Sequence, residues 1–147
     1  MGRLLRLVTH REEIMGRAKT TRRLVLIVED DAELRALIVA LFEDSDLEVV
    51  ECESAEAALA VMLLRGLDAA MIFADIRLSG AMDGVDLARE AKMRWPHLTV
   101  VLTSGAGGER LQHLPPIYLS KPWQPLEVLG LAEQAKLSAQ QRKIYGR

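Results

Sequence analysis

The chain has 147 residues, half of them hydrophobic, and a formal net charge of −2. This length suits one domain with a sizeable core, and the balanced charge gives no sign of a nucleic-acid partner or a membrane surface. The single cysteine, Cys52, excludes an internal disulfide framework and a cysteine-based metal cluster. The apolar run at residues 4–8 is too short for a signal peptide, and nothing approaches a membrane span. We therefore expect a cytoplasmic protein without membrane insertion.

Residues 1–23 differ from the rest of the chain because they are basic. Their Arg and Lys residues are Arg3, Arg6, Arg11, Arg17, Lys19, Arg22 and Arg23. Several apolar residues, among them Leu4, Leu7 and Ile14, fall roughly on one helical face. Two interpretations stay open: a loosely attached tail or upstream extension, and an amphipathic helix that docks on the domain or on a partner. We predict an extension over 1–23, a folded domain over 24–142 and a tail over 143–147.

Short apolar runs alternate with segments of helical periodicity along the remaining chain. The predicted strands are 24–28, 47–52, 70–75, 99–103 and 117–120. The predicted helices are 32–43, 55–64, 85–95 and 125–141. Asp31 and Ser54 are the expected N-caps, and Gly66 is expected to stop the second helix. This alternation favours a parallel sheet with helices on both faces.

Polar residues stand at the ends of four predicted strands. Glu29 and Asp30 follow the first strand, Asp75 ends the third, Ser104 follows the fourth and Lys121 the fifth. In a parallel sheet these ends share one edge, where sites of α/β proteins lie. Crowded carboxylates repel one another unless a cation lies between them, and an oxygen-rich cluster suits Mg²⁺. With a lysine and a hydroxyl, the edge is equipped to handle a phosphoryl group, with Asp75 as nucleophile.

Five segments then carry a family resemblance. They are residues 25–31 (VLIVEDD), 72–78 (IFADIRL), 83–88 (DGVDLA), 101–105 (VLTSG) and 118–122 (YLSKP). In this order and at this spacing, the sequence resembles the receiver domain of two-component response regulators from about Leu24 to Leu137. The resemblance implies a flavodoxin-like, doubly wound, five-stranded parallel sheet of strand order 2-1-3-4-5. The segment 106–116 contains two glycines and two prolines, so we expect the fourth helix to be shortened or missing.

The resemblance also implies roles for individual residues. Asp75 is then the phospho-accepting aspartate. Asp30 and Asp75 bind Mg²⁺, Glu29 holds it mainly through water, and the backbone carbonyl of Arg77 completes the protein ligands.

On the other side of the site, the resemblance makes Lys121 the partner of the phosphoryl group. A cis peptide bond between Lys121 and Pro122 is usual in the family. Ser104 takes the place of the switch hydroxyl and Tyr118 that of the switch aromatic. Thr103 is the alternative hydroxyl, but Ser104 precedes a small residue, as the family's switch residue does, and we favour it.

The implied function is that of a stand-alone signalling receiver, which catalyses only its own phosphorylation and dephosphorylation. Its expected partners are a histidine kinase or histidine phosphotransfer protein and an unknown downstream protein, without nucleic acid, and the expected state is a monomer or weak homodimer. A phosphate shuttle or sink is the alternative within the family. A Mg²⁺-dependent aspartyl-phosphate hydrolase is less favoured, because such enzymes want a second Asp where Arg77 stands. The segment 105–110 (GAGGER) starts like a dinucleotide-binding fingerprint, but Arg110 stands at the position of its third glycine, so nucleotide binding is disfavoured.

Three departures from the family pattern concern loops. Ser79 stands where many receivers have proline, and one more residue than in the shortest family form precedes Asp83. Arg77 brings a long cation near the site. The segment 105–116 replaces part of the usual output and dimer face, and our hypothesis is that it forms a mobile, phosphorylation-sensitive surface.

Overall fold

A computed structural model of the chain describes residues 22–105 and 117–144. The strands are β1 (Leu24–Val28), β2 (Glu48–Cys52), β3 (Ala69–Asp75), β4 (Thr99–Ser104) and β5 (Ile117–Ser120). The helices are α1 (Ala32–Ala40), α2 (Ala55–Arg65), α3 (Gly84–Arg94) and α4 (Pro125–Ile144), and a 3₁₀ turn covers Gly66–Asp68. The strands form one parallel sheet in the order β2-β1-β3-β4-β5. This order confirms the predicted fold.

The centre of the sheet is apolar on both faces. All five residues of β1 are buried, and so are the first six residues of β3. These two strands pair in parallel, with Leu26 opposite Ile72 and Ile27 opposite Phe73. A strand buried on both faces needs a continuous apolar run, and this explains why β1 and β3 lack the alternation seen in β2.

Two hydrophobic cores form because alternate strand residues point to opposite faces of the sheet. Leu26, Ile72 and Leu102 pack on one face with residues of α2 and α3. Ile27, Phe73 and Val101 pack on the other face with residues of α1 and α4. Helices thus cover both faces of the sheet, and the polar side chains at the ends of the strands lie at its carboxyl edge.

Helix α1 ends at Ala40, so the prediction that it reaches Glu43 was wrong. The backbone tightens after Ala40: the amide of Leu41 donates to Ile38 and that of Phe42 donates to Val39, both three residues back. Phe42 is nevertheless buried, with 1% of its surface exposed. The apolar periodicity therefore continues past the end of the helix, and it misled the prediction.

Gly66 ends α2 as predicted, but not through a left-handed backbone, because its φ is −59°. A Cβ atom there would lie 2.4 Å from the Trp95 ring, so the position requires glycine for close packing of α2 against the end of α3.

Two predicted features lie outside the described residues: the basic segment up to residue 21 and the segment 106–116. Within the described parts of the chain, no helix has the length and apolar character needed to cross a bilayer.

Candidate functional site

Asp75 and Lys121 meet at the carboxyl edge of the sheet. Asp75 is the last residue of β3, and Lys121 directly follows β5. The Lys121 Nζ lies 2.6 Å from Asp75 Oδ2. The Asp75 side chain is 12% exposed and that of Lys121 36%, so the pair is open to solvent on the lysine side. The structure therefore brings together two side chains that lie 46 residues apart in the sequence.

The backbone and an aromatic contact position Lys121. Its amide donates to the carbonyl of Ser104 at 2.8 Å, continuing the pairing of β4 with β5. The Lys121–Pro122 peptide is cis, as predicted. The next residue, Trp123, sets its ring edge-on against Phe73, with centroids 5.4 Å apart and planes at 88°. Since Phe73 lies two residues before Asp75, this contact connects the segment that carries Lys121 to the strand that carries Asp75.

Glu29 and Asp30 lie at the end of β1 in very different surroundings. Glu29 is 4% exposed, and burial raises the pKa of its carboxyl group. The neighbouring Asp75 carboxylate adds to that rise, whereas the Asp31 amide, which donates to Glu29 Oε2 at 3.0 Å, opposes it. Asp30 is exposed, and a hydrogen bond from the Ser79 amide lowers the pKa of its carboxyl group. Burial thus disfavours the charged form of Glu29, whereas the amide hydrogen bond favours the charged form of Asp30.

The loop after β3, residues 76–83, is held by carboxylates from three elements. The Arg77 amide donates to Asp75 Oδ1 at 3.0 Å, and the Ser79 amide donates to Asp30 Oδ2 at 3.1 Å. Further along, Glu56 of α2 accepts the amides of Ala81 and Met82 on its Oε2, at 3.0 and 3.3 Å. The loop backbone is therefore fixed relative to β1, β3 and α2 together.

Gly84, the first residue of α3, packs on the backbone of Asp75 and Ile76. A Cβ atom at this position would lie 2.3 Å from the Asp75 carbonyl oxygen and 2.8 Å from the Ile76 Cα. The Gly84 amide also donates to the Ile76 carbonyl at 2.8 Å. Only glycine allows this approach, so the Asp83–Gly84 pair closes the loop against the end of β3.

At the end of β4, the hydroxyl groups of the carboxyl edge have fewer hydrogen-bond partners than the carboxylates do. Thr103 and Ser104 are both buried, with Thr103 opposite Asp75 in the β3–β4 register. The Ser104 Oγ is buried and has no hydrogen-bond partner among the described residues. Tyr118 is half-buried beside the α2–α3 core, and burial raises the pKa of its phenol. A buried hydroxyl without a hydrogen-bond partner is unfavourable in this state, so a state of the protein that supplies a partner would be favoured by comparison.

The donor set fits a hard cation only in part. Among the described residues, no group of three or more His, Cys, Asp or Glu side chains is arranged to hold a metal ion. Glu29, Asp30 and Asp75 each accept a hydrogen bond from a nearby N–H or ammonium group. Oxygen donors from Asp30, Asp75 and a loop carbonyl nevertheless suit Mg²⁺, which keeps several waters and needs few protein ligands.

Comparisons with known proteins identify the family. The family model for the response regulator receiver domain matches residues 25–130. The chain belongs to this family of two-component signalling domains. It is 32% identical over 118 residues to the response regulator protein FleR of Pseudomonas aeruginosa, covering 77% of this chain and 24% of FleR. It is 32% identical over 117 residues to the transcriptional regulatory protein AruR of the same species, covering 74% of this chain and 47% of AruR.

A solved structure agrees with this assignment. The receiver domain of NtrX from Brucella abortus matches with a TM-score of 0.66 and 29% identity, over 76% of this chain and 96% of that one. The match thus covers nearly all of that receiver domain, whereas the chain spans 24% of FleR and 47% of AruR. These relatives are bacterial response regulators.

Three residues that shape the site were missed from the sequence. Arg35 of α1 donates to the Glu29 carbonyl at 2.6 Å and pairs with Glu51 at 3.3 Å. Glu56 holds the loop after β3 from 25 residues away. Gly84 was noted only as part of a motif. An Arg one turn into a helix or a Glu in a first turn has many ordinary explanations, so no local signal could have identified these contacts.

Proposed function

We propose that Asp75 accepts a phosphoryl group from a phosphohistidine of a histidine kinase or histidine phosphotransfer protein. A carboxylate oxygen of Asp75 attacks the phosphorus, an acyl-phosphate P–O bond forms, and the P–N bond breaks as the imidazole leaves and takes up a proton. The observation that carries the proposal is the Asp75–Lys121 pair at 2.6 Å at the carboxyl edge. A nucleophile and a charge partner already adjacent need little rearrangement.

The surrounding residues supply positioning and charge. Lys121 neutralises negative charge that develops on the phosphoryl oxygens. Asp30, Asp75 and the Arg77 carbonyl would hold Mg²⁺, with Glu29 contributing mainly through water; the ion, when bound, offsets charge on the same oxygens. The hydrogen bond from the Ser79 amide lowers the pKa of the Asp30 carboxyl group, which favours the charged form that suits a cation.

The signal is proposed to arise when phosphorylation changes the partners of Lys121 and Ser104. Phosphorylation adds up to about two negative charges at Asp75. Lys121 then pairs with the phosphoryl group rather than with the carboxylate alone, and the Ser104 hydroxyl gains an acceptor. Movement of β4 and β5 and of Tyr118 would alter the surface offered to a downstream protein. The cytoplasmic location predicted from the sequence stays a prediction.

Phosphorylation by acetyl phosphate with Mg²⁺ tests the acceptor site. We expect one phosphoryl group per chain by intact mass in the parent and none in Asp75→Asn. The matched control is Asp44→Asn, which changes an exposed acid in the turn after α1 and should label like the parent. Labelling of Asp75→Asn equal to that of the parent would refute the assignment.

Two further measurements separate this proposal from its alternatives. Rapid onward or reverse transfer to histidine phosphotransfer proteins would favour a shuttle or sink over an effector. Release of phosphate from a panel of phosphomonoesters would favour a hydrolase. We expect none, because the exposed Arg77 stands where such enzymes need a second acid.

A further inference from the structure

The loop after β3 depends on the same carboxylates that the proposed chemistry uses. Its two attachments nearest the site are the Arg77 amide on Asp75 and the Ser79 amide on Asp30. Both acceptors are also proposed to bind Mg²⁺, and Asp75 is proposed to be phosphorylated. These attachments are therefore exposed to competition whenever the site is in use, because a carboxylate oxygen shared between a cation and an amide bonds each more weakly.

Glu56 provides the attachment that the chemistry leaves intact. Its Oε2 accepts two successive loop amides, those of Ala81 and Met82. Gly80 lies against it with a φ of +104°, and a Cβ there would be 3.1 Å from both carboxylate oxygens. Glu56 stands in the first turn of α2, which Ser54 caps and which packs its buried face on the core. The loop is thus attached to a rigid element outside the metal and phosphoryl site.

We propose that Glu56 is a positioning residue that sets the affinity of this site for Mg²⁺. By holding residues 80–82, it fixes the short loop that carries the Ser79 amide and the Arg77 carbonyl. It therefore fixes the orientation of Asp30 and the place of one backbone ligand. The inference rests on the proposed function for its metal, but the mechanical part, a loop held from α2, rests on the hydrogen bonds alone.

Replacement of Glu56 tests the inference on two separate readouts. In Glu56→Ala without metal, amide hydrogen exchange should quicken at Arg77 and Ser79, which Glu56 does not touch, as well as at Ala81 and Met82. With acetyl phosphate, the Mg²⁺ concentration for half-maximal phosphorylation should rise about tenfold, the low end of what outer partners of metal ligands contribute. The rate at saturating Mg²⁺ should stay within about twofold, because Glu56 touches no reacting atom.

Matched variants separate positioning from helix stability. Glu33 occupies the first turn of α1 as Glu56 occupies that of α2, so Glu33→Ala removes the same favourable helix-dipole interaction without touching the loop. It should leave both readouts unchanged. Glu56→Gln keeps an oxygen acceptor and should fall between parent and Glu56→Ala, and it carries the test if the alanine variant unfolds.

The outcomes that overturn the inference are distinct from failure of the proposed function. Unchanged exchange at Arg77 and Ser79 in Glu56→Ala refutes it, and so does an unchanged half-maximal Mg²⁺ concentration, whatever the maximal rate. If the parent is not phosphorylated at all, the proposed function fails, while the exchange comparison still decides whether Glu56 holds the loop.

Discussion

The two halves of the carboxyl edge differ in how completely their polar groups are satisfied. On the half formed by β1, β3 and the following loop, Glu29, Asp30 and Asp75 each accept at least one backbone amide. On the half formed by β4 and β5, the buried Ser104 hydroxyl has no partner in the part of the chain that the structure describes. The Lys121–Asp75 ion pair crosses between these halves.

The difference indicates that the two halves of the edge have different roles in the proposed reaction. The acidic half is already organised, which suits a nucleophile and a cation site that must be in place before the reaction. Among the described residues the buried Ser104 hydroxyl of the other half has no partner, and an oxygen of the proposed phosphoryl group would supply one. An unsatisfied buried donor is unfavourable in the resting state, so its satisfaction favours the phosphorylated arrangement.

The largest expected effect on the free energy of unfolding comes from adding a methyl group next to the end of β3, in the acidic half of the edge. In Gly84→Ala, the new methyl group would overlap the Asp75 carbonyl, and overpacking against backbone destabilises by about 1–3 kcal/mol. The matched control is Gly130→Ala in α4, where a Cβ meets nothing within 4 Å and the change should stabilise by about 0.5–1 kcal/mol. Urea unfolding of both variants measures the difference. Equal midpoints would show that α3 does not pack tightly on the end of β3.

A smaller effect on the free energy of unfolding, opposite in sign for two serines, tests the half of the edge formed by β4 and β5. Ser54→Ala removes an N-cap oxygen that accepts the Ala57 amide at 3.0 Å and should destabilise by about 1 kcal/mol. Ser104→Ala removes a buried hydroxyl without a partner and should be neutral or stabilising by up to about 1 kcal/mol. Thermal unfolding at one pH compares them. A destabilisation in Ser104→Ala as large as that in Ser54→Ala would mean that the hydroxyl is already bonded, and the contrast between the halves would fail.

The smallest effect concerns Cys52, which ends β2 at the same edge. Burial raises the pKa of its thiol to about 11, so little thiolate forms at neutral pH. A thiol reagent at pH 8 should react only as fast as the protein unfolds, and urea should release full reactivity. The raised pKa also makes the free energy of unfolding depend on pH, because the folded protein keeps the thiol proton that the unfolded chain releases. The stability from the protonated, buried thiol is fully present below the unfolded thiol pKa of about 8.5 and is lost as the pH rises towards 11. Rapid labelling of the native protein would show that the edge opens readily.

Much of the fold could be predicted because it depends on local patterns. The continuous apolar runs of β1 and β3 identified strands buried on both faces, and Asp31 and Ser54 were correctly identified as helix caps. The sequence also placed Asp75 and Lys121 at the same edge, because strand ends of a parallel sheet share an edge, and the structure brings the two side chains together.

The rest depends on contacts between distant segments. Glu56 reaches a loop 25 residues away, and Gly84 is required by the backbone it packs against. The end of α1 was misplaced because Phe42 continues the apolar pattern in a tighter turn. The roles assigned to Ser104, Tyr118 and the metal ligands stay predictions.

The most direct test of the central claim is to map the phosphorylated residue. Acetyl phosphate and Mg²⁺ should phosphorylate the chain, and borohydride should then reduce the acyl phosphate to homoserine, which peptide mass spectrometry locates. Our account predicts homoserine at position 75, within the tryptic peptide that spans residues 66–77. Homoserine at Asp30, Asp31 or Asp68 instead, with Asp75 unmodified, would contradict it.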